Sequence, residues 1–191
     1  MRRFVFAVVC VGLVLMSSLP ASADDKTGFY IGIGGSYAIQ NFEKRGTETF
    51  DNALGGNIKI GFKESKVSAT ELVLDYFPEF KWTHYGNFIT SASGSVQEKV
   101  SVFSAMLAQK FSVPNDKFRP YLVLGMGLMS VKSDSGPNLQ FSDGNGFCYK
   151  GGLGIDYFAT DNISLGFEGN YVFGTGDVRY ANATVGVAYH F

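Results

Sequence analysis

Four stretches of the chain alternate, residue by residue, between a bulky apolar face and a small or polar one. From Phe147 to Tyr157 one face reads Phe147, Tyr149, Gly151, Leu153, Ile155, Tyr157, and the other Cys148, Lys150, Gly152, Gly154, Asp156. Ile163, Leu165, Phe167, Gly169, Tyr171 and Phe173 then oppose Ser164, Gly166, Glu168 and Asn170. Ala183, Val185, Val187, Tyr189 and Phe191 oppose Thr184, Gly186, Ala188 and His190. Near the start, Phe29, Ile31 and Ile33 oppose Tyr30, Gly32, Gly34 and Ser36. A period of two marks strands with unlike faces. No helical periodicity lasts beyond two turns.

The middle alternates less cleanly. Leu54, Ile58, Ile60 and Phe62 oppose Asn57, Lys59, Gly61 and Lys63, while Leu72, Leu74 and Tyr76 oppose Glu71, Val73 and Asp75. Residues 99–111 alternate poorly, with Phe103, Ala105, Leu107 and Phe111 as the best apolar face. Residues 119–129 are apolar on both faces. The pattern predicts eight strands, at about 28–39, 53–63, 67–77, 98–111, 118–129, 147–158, 162–173 and 180–191. Short connections at 64–66, 112–117 and 159–161 alternate with mostly longer, polar ones at 40–52, 78–97, 130–146 and 174–179. Short turns at one end and long loops at the other describe an all-β, eight-stranded antiparallel up-and-down barrel.

Alternation does not say which face is inside, because a soluble lipocalin is also an eight-stranded barrel, with its apolar face inward. Several features point the apolar face outward, into lipid. Glycines gather on the polar face, where a narrow lumen needs small side chains. The apolar face carries no charge over most strand centres. Aromatics cluster at strand ends, with Phe29, Phe62, Phe111, Phe118, Tyr157, Phe158, Tyr189 and Phe191 at the short-turn end. Tyr37, Tyr76, Phe77, Phe80, Phe147 and Phe173 lie at the other, as interfacial girdles require. A closed barrel is also the strand structure whose backbone is satisfied in hydrocarbon. The expectation is a transmembrane barrel with short periplasmic turns, longer extracellular loops and both termini periplasmic.

The first residues read as an address. Arg2 and Arg3 precede an apolar run, Phe4 to Met16, followed by Ala21-Ser22-Ala23. This is the layout of a secretory signal peptide cleaved after Ala23, with Ala21 and Ala23 at the cleavage site. The expected organisation is a signal peptide over 1–23 and one barrel domain over 24–191. The charge of −1 provides no footprint for nucleic acid. Cys10 leaves with the signal, so Cys148 has no partner for an intrachain disulfide, and one Cys with His84 and His190 shows no metal-ligand spacing.

The chain resembles the eight-stranded bacterial outer-membrane barrels of the outer-membrane protein A and X type. The resemblance rests on Gly28-Phe29-Tyr30-Ile31-Gly32, on Pro120-Tyr121-Leu122 leading to Gly125-Met126-Gly127, and on Gly152-Leu153-Gly154-Ile155-Asp156-Tyr157. It implies that Thr184, Gly186, Tyr189 and Phe191 form a C-terminal signal read by the barrel-assembly machinery. Nothing resembles the separate peptidoglycan-binding domain some relatives carry. The partners expected are outer-membrane lipid and lipopolysaccharide, that machinery, and an extracellular partner reached through the loops.

The polar face holds Lys59, Lys63, Glu71, Asp75, Lys150, Asp156 and Glu168, a mixture that reads as a salt-bridged lumen rather than an acid–base site. Hairpin geometry predicts Lys59 opposite Glu71 and Lys150 within diagonal reach of Glu168. The second long loop carries Phe80, Trp82, Tyr85 and Phe88, an aromatic set suited either to an interaction surface or to interfacial anchoring. Some barrels of this size modify lipid A, but His84, Ser91 and Ser93 form no recognised motif. The function expected is non-enzymatic and without a cofactor: support of the envelope, presentation of surface loops for adhesion, or both. A narrow pore, a lipid-modifying enzyme and a lipocalin-like carrier are the alternatives.

Overall fold

The computed structural model describes residues 27–40, 48–85, 95–133, 144–174 and 178–191. The signal segment, with Ala21 and Ala23, and Phe88 lie outside the described residues. Strands account for nearly all the rest: β1 (Gly28–Gln40), β2 (Glu48–Phe50), β3 (Ala53–Lys63), β4 (Ser68–Tyr85), β5 (Ser95–Ser112), β6 (Phe118–Ser133), β7 (Gly144–Phe158), β8 (Ile163–Gly174) and β9 (Arg179–His190). They form one antiparallel sheet in the order β2-β4-β3-β1-β9-β8-β7-β6-β5, closed by pairing of β4 with β5. Short β2 pairs with β4 in the register that β3 uses. The two are one barrel strand, so the barrel is eight-stranded.

Three turns at the end that carries both described termini are tight. Glu64 and Ser65 N–H both donate to the Ser68 carbonyl at 3.0 and 3.2 Å. Val113 N–H donates to Pro120 O at 2.8 Å, and Ala159 N–H to Ile163 O at 3.0 Å. The Glu64 carboxylate accepts from the Ser68 and Thr70 hydroxyls at 2.8 and 2.6 Å, fixing the first turn.

The alternation read from the sequence holds around the wall. Ile33, Leu54, Leu124, Leu153, Leu165, Phe167 and Val185 are all exposed on the outside. Tyr30, Glu71, Tyr121, Lys150, Glu168 and Thr184 are buried inside. An outer surface this apolar is what lipid solvates, and it excludes the lipocalin arrangement.

The strands run further toward the long-loop end than the sequence predicts. Residues 78–85 and 95–97, read as loop, belong to β4 and β5. β6 continues to Ser133, and β7 begins at Gly144. Polar residues there hid the strands, because a wall that projects past the apolar band has no lipid face to keep apolar. The register slips once, between Phe77 and Phe80. Pro78 lies in this bulge, where a residue without an N–H costs the ladder nothing. The bulge turns Phe80 inward beside Phe77.

Candidate functional site in the barrel lumen

The lumen is built in two layers. The layer nearer the short turns is polar and centres on Glu168, which is 2% exposed. Lys59 Nζ reaches its Oε2 at 2.6 Å and Lys150 Nζ its Oε1 at 2.9 Å. Tyr121 Oη donates to Oε2 at 2.9 Å, and Asn170 Nδ2 to Oε1 at 2.8 Å. A second group joins Lys110 to Asp156 at 2.5 Å and to Glu71 at 3.7 Å. Tyr30 Oη donates to Glu71 Oε1 at 2.5 Å. Lys110 Nζ lies 3.8 Å from the centroid of the Tyr121 ring, which links the two groups.

Both tyrosines depend on glycines. Tyr30 is the cross-strand partner of Gly61, and Tyr121 of Gly154. A Cβ on Gly61 would enter the Tyr30 ring, and one on Gly154 the Tyr121 ring. Each ring crosses a bare strand to reach a carboxylate on the next. Gly61 pairs onward with Glu71, and Gly154 with Glu168.

The layer nearer the long loops is apolar. Phe77, Phe80 and Tyr180 pack ring against ring, with centroids 5.3–6.0 Å apart. Met106, Met129, Val102, Val172 and Cys148 complete the plug. Asp75 marks the boundary, one inward step from Phe77 and paired in register with Asn57 and Ser104. The cavity lined by Lys59, Glu71 and Glu168 measures about 50 Å³, room for a few waters at most. A wider depression of about 670 Å³ opens at the short-turn end, lined by Lys63, Lys117, Arg119 and His190 among others.

Of the residues singled out from the sequence, Lys59, Glu71, Asp75, Lys150, Asp156 and Glu168 converge inside, and Lys63 lines the mouth. Lys150 reaches Glu168 as expected. The direct Lys59–Glu71 pairing does not form. In register Lys59 faces Val73 and Glu71 faces Gly61. Lys59 instead crosses the lumen to Glu168, since closure brings β3 and β8 within one lysine's length. Phe77 and Phe80 are not in the outer girdle. Both are buried in the plug, because the lumen above Asp75 needs apolar filling. Trp82 and Tyr85 are strand positions, paired with Glu98 and Ser95, rather than loop. His84 likewise pairs with Glu48 and Val96. Sequence reasoning missed Lys110, Tyr30 and Tyr121 as network members. The outward set Phe103, Ala105 and Leu107 already implied an inward Ser104, Met106, Ala108 and Lys110.

Among the described residues no group of His, Cys, Asp and Glu could hold a metal ion. Ser164 Oγ and His190 Nε2 lie 2.9 Å apart, the one Ser–His contact the described residues show. Ser164 is buried at 2% exposure and lines the 50 Å³ cavity.

Residues 7–191 match the outer membrane protein beta-barrel domain family. The chain belongs to that family. This outer-membrane barrel is an integral protein of the bacterial outer membrane, and its fold recurs in solved structures. Neisserial surface protein A matches with a TM-score of 0.62 at 16% identity, covering 87% of this chain and all of that one. OprG from Pseudomonas aeruginosa gives 0.62 at 16%, covering 87% and 97%. Ail, the attachment invasion locus protein of Yersinia pestis, gives 0.59 at 18%, covering 87% and 100%. At these identities the likeness shows a shared fold. No curated protein sequence matches the chain.

Proposed function

We propose that this outer-membrane barrel is a sealed, non-enzymatic wall protein. It supports the envelope and presents its long-loop end, outside the cell, for interaction, with both termini periplasmic. The reading is carried by the filling of the lumen. A polar layer knotted around Glu168 is stacked under an apolar plug of Phe77, Phe80 and Tyr180. A solute would have to break buried ion pairs and displace packed rings in turn. Eight strands leave an interior that side chains fill. The burial of Ser164 supports the absence of catalysis, since the cavity it lines has room for only a few waters. The extension of β4 and β5 past the apolar band supports surface presentation, because it carries the wall beyond the lipid. On this reading Thr184, Gly186, Tyr189 and Phe191 serve the assembly machinery, and Tyr189 and Phe191 are exposed on the finished barrel.

Purified protein in planar bilayers tests the sealed state. The expected result is a membrane that stays silent at 100 mV. Reproducible unitary steps from the intact protein would favour the narrow pore.

A further inference from the structure

The short-turn mouth of the lumen lies at the start of β1. Gly28, the first residue of that strand, lines the depression of about 670 Å³ there, and Lys63, its cross-strand partner, lines it too. β6 is four strands from β1 in the ring of eight, on the opposite side. From that far side Asp116, Lys117 and Arg119 line the same depression. The far wall is held in place. Phe158 N–H donates to the Lys117 carbonyl at 2.9 Å, and Arg119 Nε–H to the Asn115 carbonyl at 2.8 Å. The Arg119 guanidinium lies 4.4 Å from the centroid of the Phe158 ring, which belongs to the mouth rather than to the outer girdle.

Ahead of β1 the sequence reads Asp24-Asp25-Lys26-Thr27. Cleavage after Ala23 leaves Asp24 first, with a free amino group. That tip carries one positive and two negative charges. The far wall carries two positive charges and one negative, so each group has its opposite. Elsewhere on the rim Lys63 and Asp161 are one of each sign. Lys26, about 7 Å from Gly28 at full stretch, falls short of the far wall.

Reach decides whether the tip can arrive. Eight strands about 4.8 Å apart and tilted about 40° enclose a ring about 16 Å across. Extended chain covers about 3.3 Å per residue, which carries Asp25 about 10 Å and Asp24 about 13 Å from Gly28. The flexible Lys117 stem and the Arg119 fork span what is left.

We propose that Asp24 and Asp25 dock on Lys117 and Arg119, so that the first residues of the mature chain form a strap across the short-turn mouth. The Asp24 amino group then lies toward Asp116. The proposal rests on the cleavage after Ala23 expected from the sequence. His190 lines both the mouth and the 50 Å³ cavity, so a docked strap covers the way from the short-turn side into the polar layer.

Disulfide trapping of the mature protein in neutral detergent tests the strap. Asp25→Cys is combined either with Asp116→Cys on the far wall or with Ser65→Cys on the turn after β3. Both pairs keep Asp24, Lys117 and Arg119. Ser65 follows the strand next to β1, so an undocked tether reaches it at least as easily as Asp116. Cys148 is buried in the plug and does not compete. The gel-mobility shift between boiled and unboiled samples verifies each barrel. Docking should make the Asp116 pair form its disulfide on the order of ten-fold faster than the Ser65 pair under mild oxidation. Adding Lys117→Gln and Arg119→Gln to the Asp116 pair should remove that advantage. So should 1 M salt, where the screening length is about 3 Å. A disulfide at Ser65 as fast as at Asp116 overturns the strap. An advantage that survives loss of both cations overturns the ionic docking. If Asp116→Cys prevents barrel formation, Asn115→Cys takes its place with the same expectation. N-terminal sequencing of the purified protein checks the premise separately. A first residue other than Asp24 overturns the cleavage reading, whereas Asp24 in first place with no preference for Asp116 overturns the docking alone.

Discussion

Tyr30 and Tyr121 occupy equivalent places half a turn of the barrel apart. Tyr30 on β1 spans Gly61 on β3 to reach Glu71 on β4, and Tyr121 on β6 spans Gly154 on β7 to reach Glu168 on β8. With β2 and β3 counted as one strand, the two triplets are four strands apart in a ring of eight. The lumen is thus held by a repeated unit: an aromatic arm, a bare strand for it to cross, and a carboxylate at its tip. The lysines break the symmetry. Glu168 has two close to it, while Glu71 shares Lys110 with Asp156.

The glycine under each ring is a steric requirement. Gly61→Ala and Gly154→Ala should each destabilise the barrel by about 1–3 kcal/mol, through displacement of the ring. Combining Gly61→Ala with Tyr30→Ala should recover part of that loss, because the ring that clashes is gone. Urea unfolding in detergent reads both. Equal stability of Gly61→Ala and wild type would refute the stacking.

Glu168 is the keystone of the charges. Glu168→Ala leaves Lys59 and Lys150 facing each other without their anion, at a cost of about 3–5 kcal/mol. Glu168→Gln should fall between, since its one carbonyl oxygen keeps a hydrogen bond to one of the two lysines while the charge is lost. A double-mutant cycle of Lys59 and Glu168 should show coupling above about 1 kcal/mol. The cycle of Lys59 with Glu71 should show less, because the two do not touch.

The plug contributes stability as well as closure. Phe80→Ala removes a fully buried ring and should cost about 3–5 kcal/mol, depending on how far Phe77 and Tyr180 collapse into the space. Bilayers should still stay silent, because the Glu168 layer lies beneath. Conductance in Phe80→Ala would mean that the polar layer alone does not seal.

Lipid-facing and lumen-facing neighbours should respond differently. Leu165 is half exposed on the outer wall, and an Arg there should cost about 2–4 kcal/mol in a bilayer. Gly166, one residue on, faces Asp156 inside the lumen. There, bulk should matter more than polarity. Tolerance of Leu165→Arg would mean that the face is not in lipid.

The last prediction separates folding from delivery. Phe191 is 74% exposed, so its deletion should cost only about 1 kcal/mol of folded stability. If the final strand is an assembly signal, the yield of inserted protein in cells should fall sharply. Refolding in detergent should stay near normal. Unchanged yield in cells would remove the signal.

The sequence by itself determined the wall. Alternation is a local property: each outward Leu, Ile or Phe answers to lipid whatever the rest of the chain does. Eight strands, their short turns and the inward charges other than Lys110 were therefore legible from residues a few positions apart. The sequence also determined that Lys150 could reach Glu168, since a tight turn at 159–161 fixes that hairpin's register. It could not determine contacts across the lumen. The Lys59–Glu168 bridge joins residues 109 apart and exists because closure and strand tilt place β3 opposite β8. Nor could it show that Phe77 and Phe80 both turn inward. That depends on a one-residue bulge at Pro78, which reverses the side-chain parity partway along β4. Where polarity changed without a lipid boundary to enforce it, beyond residue 77, the strands became invisible to alternation. There the strand pairing, of β4 with β2 and β5 and of β6 with β7, decided how far the wall extends.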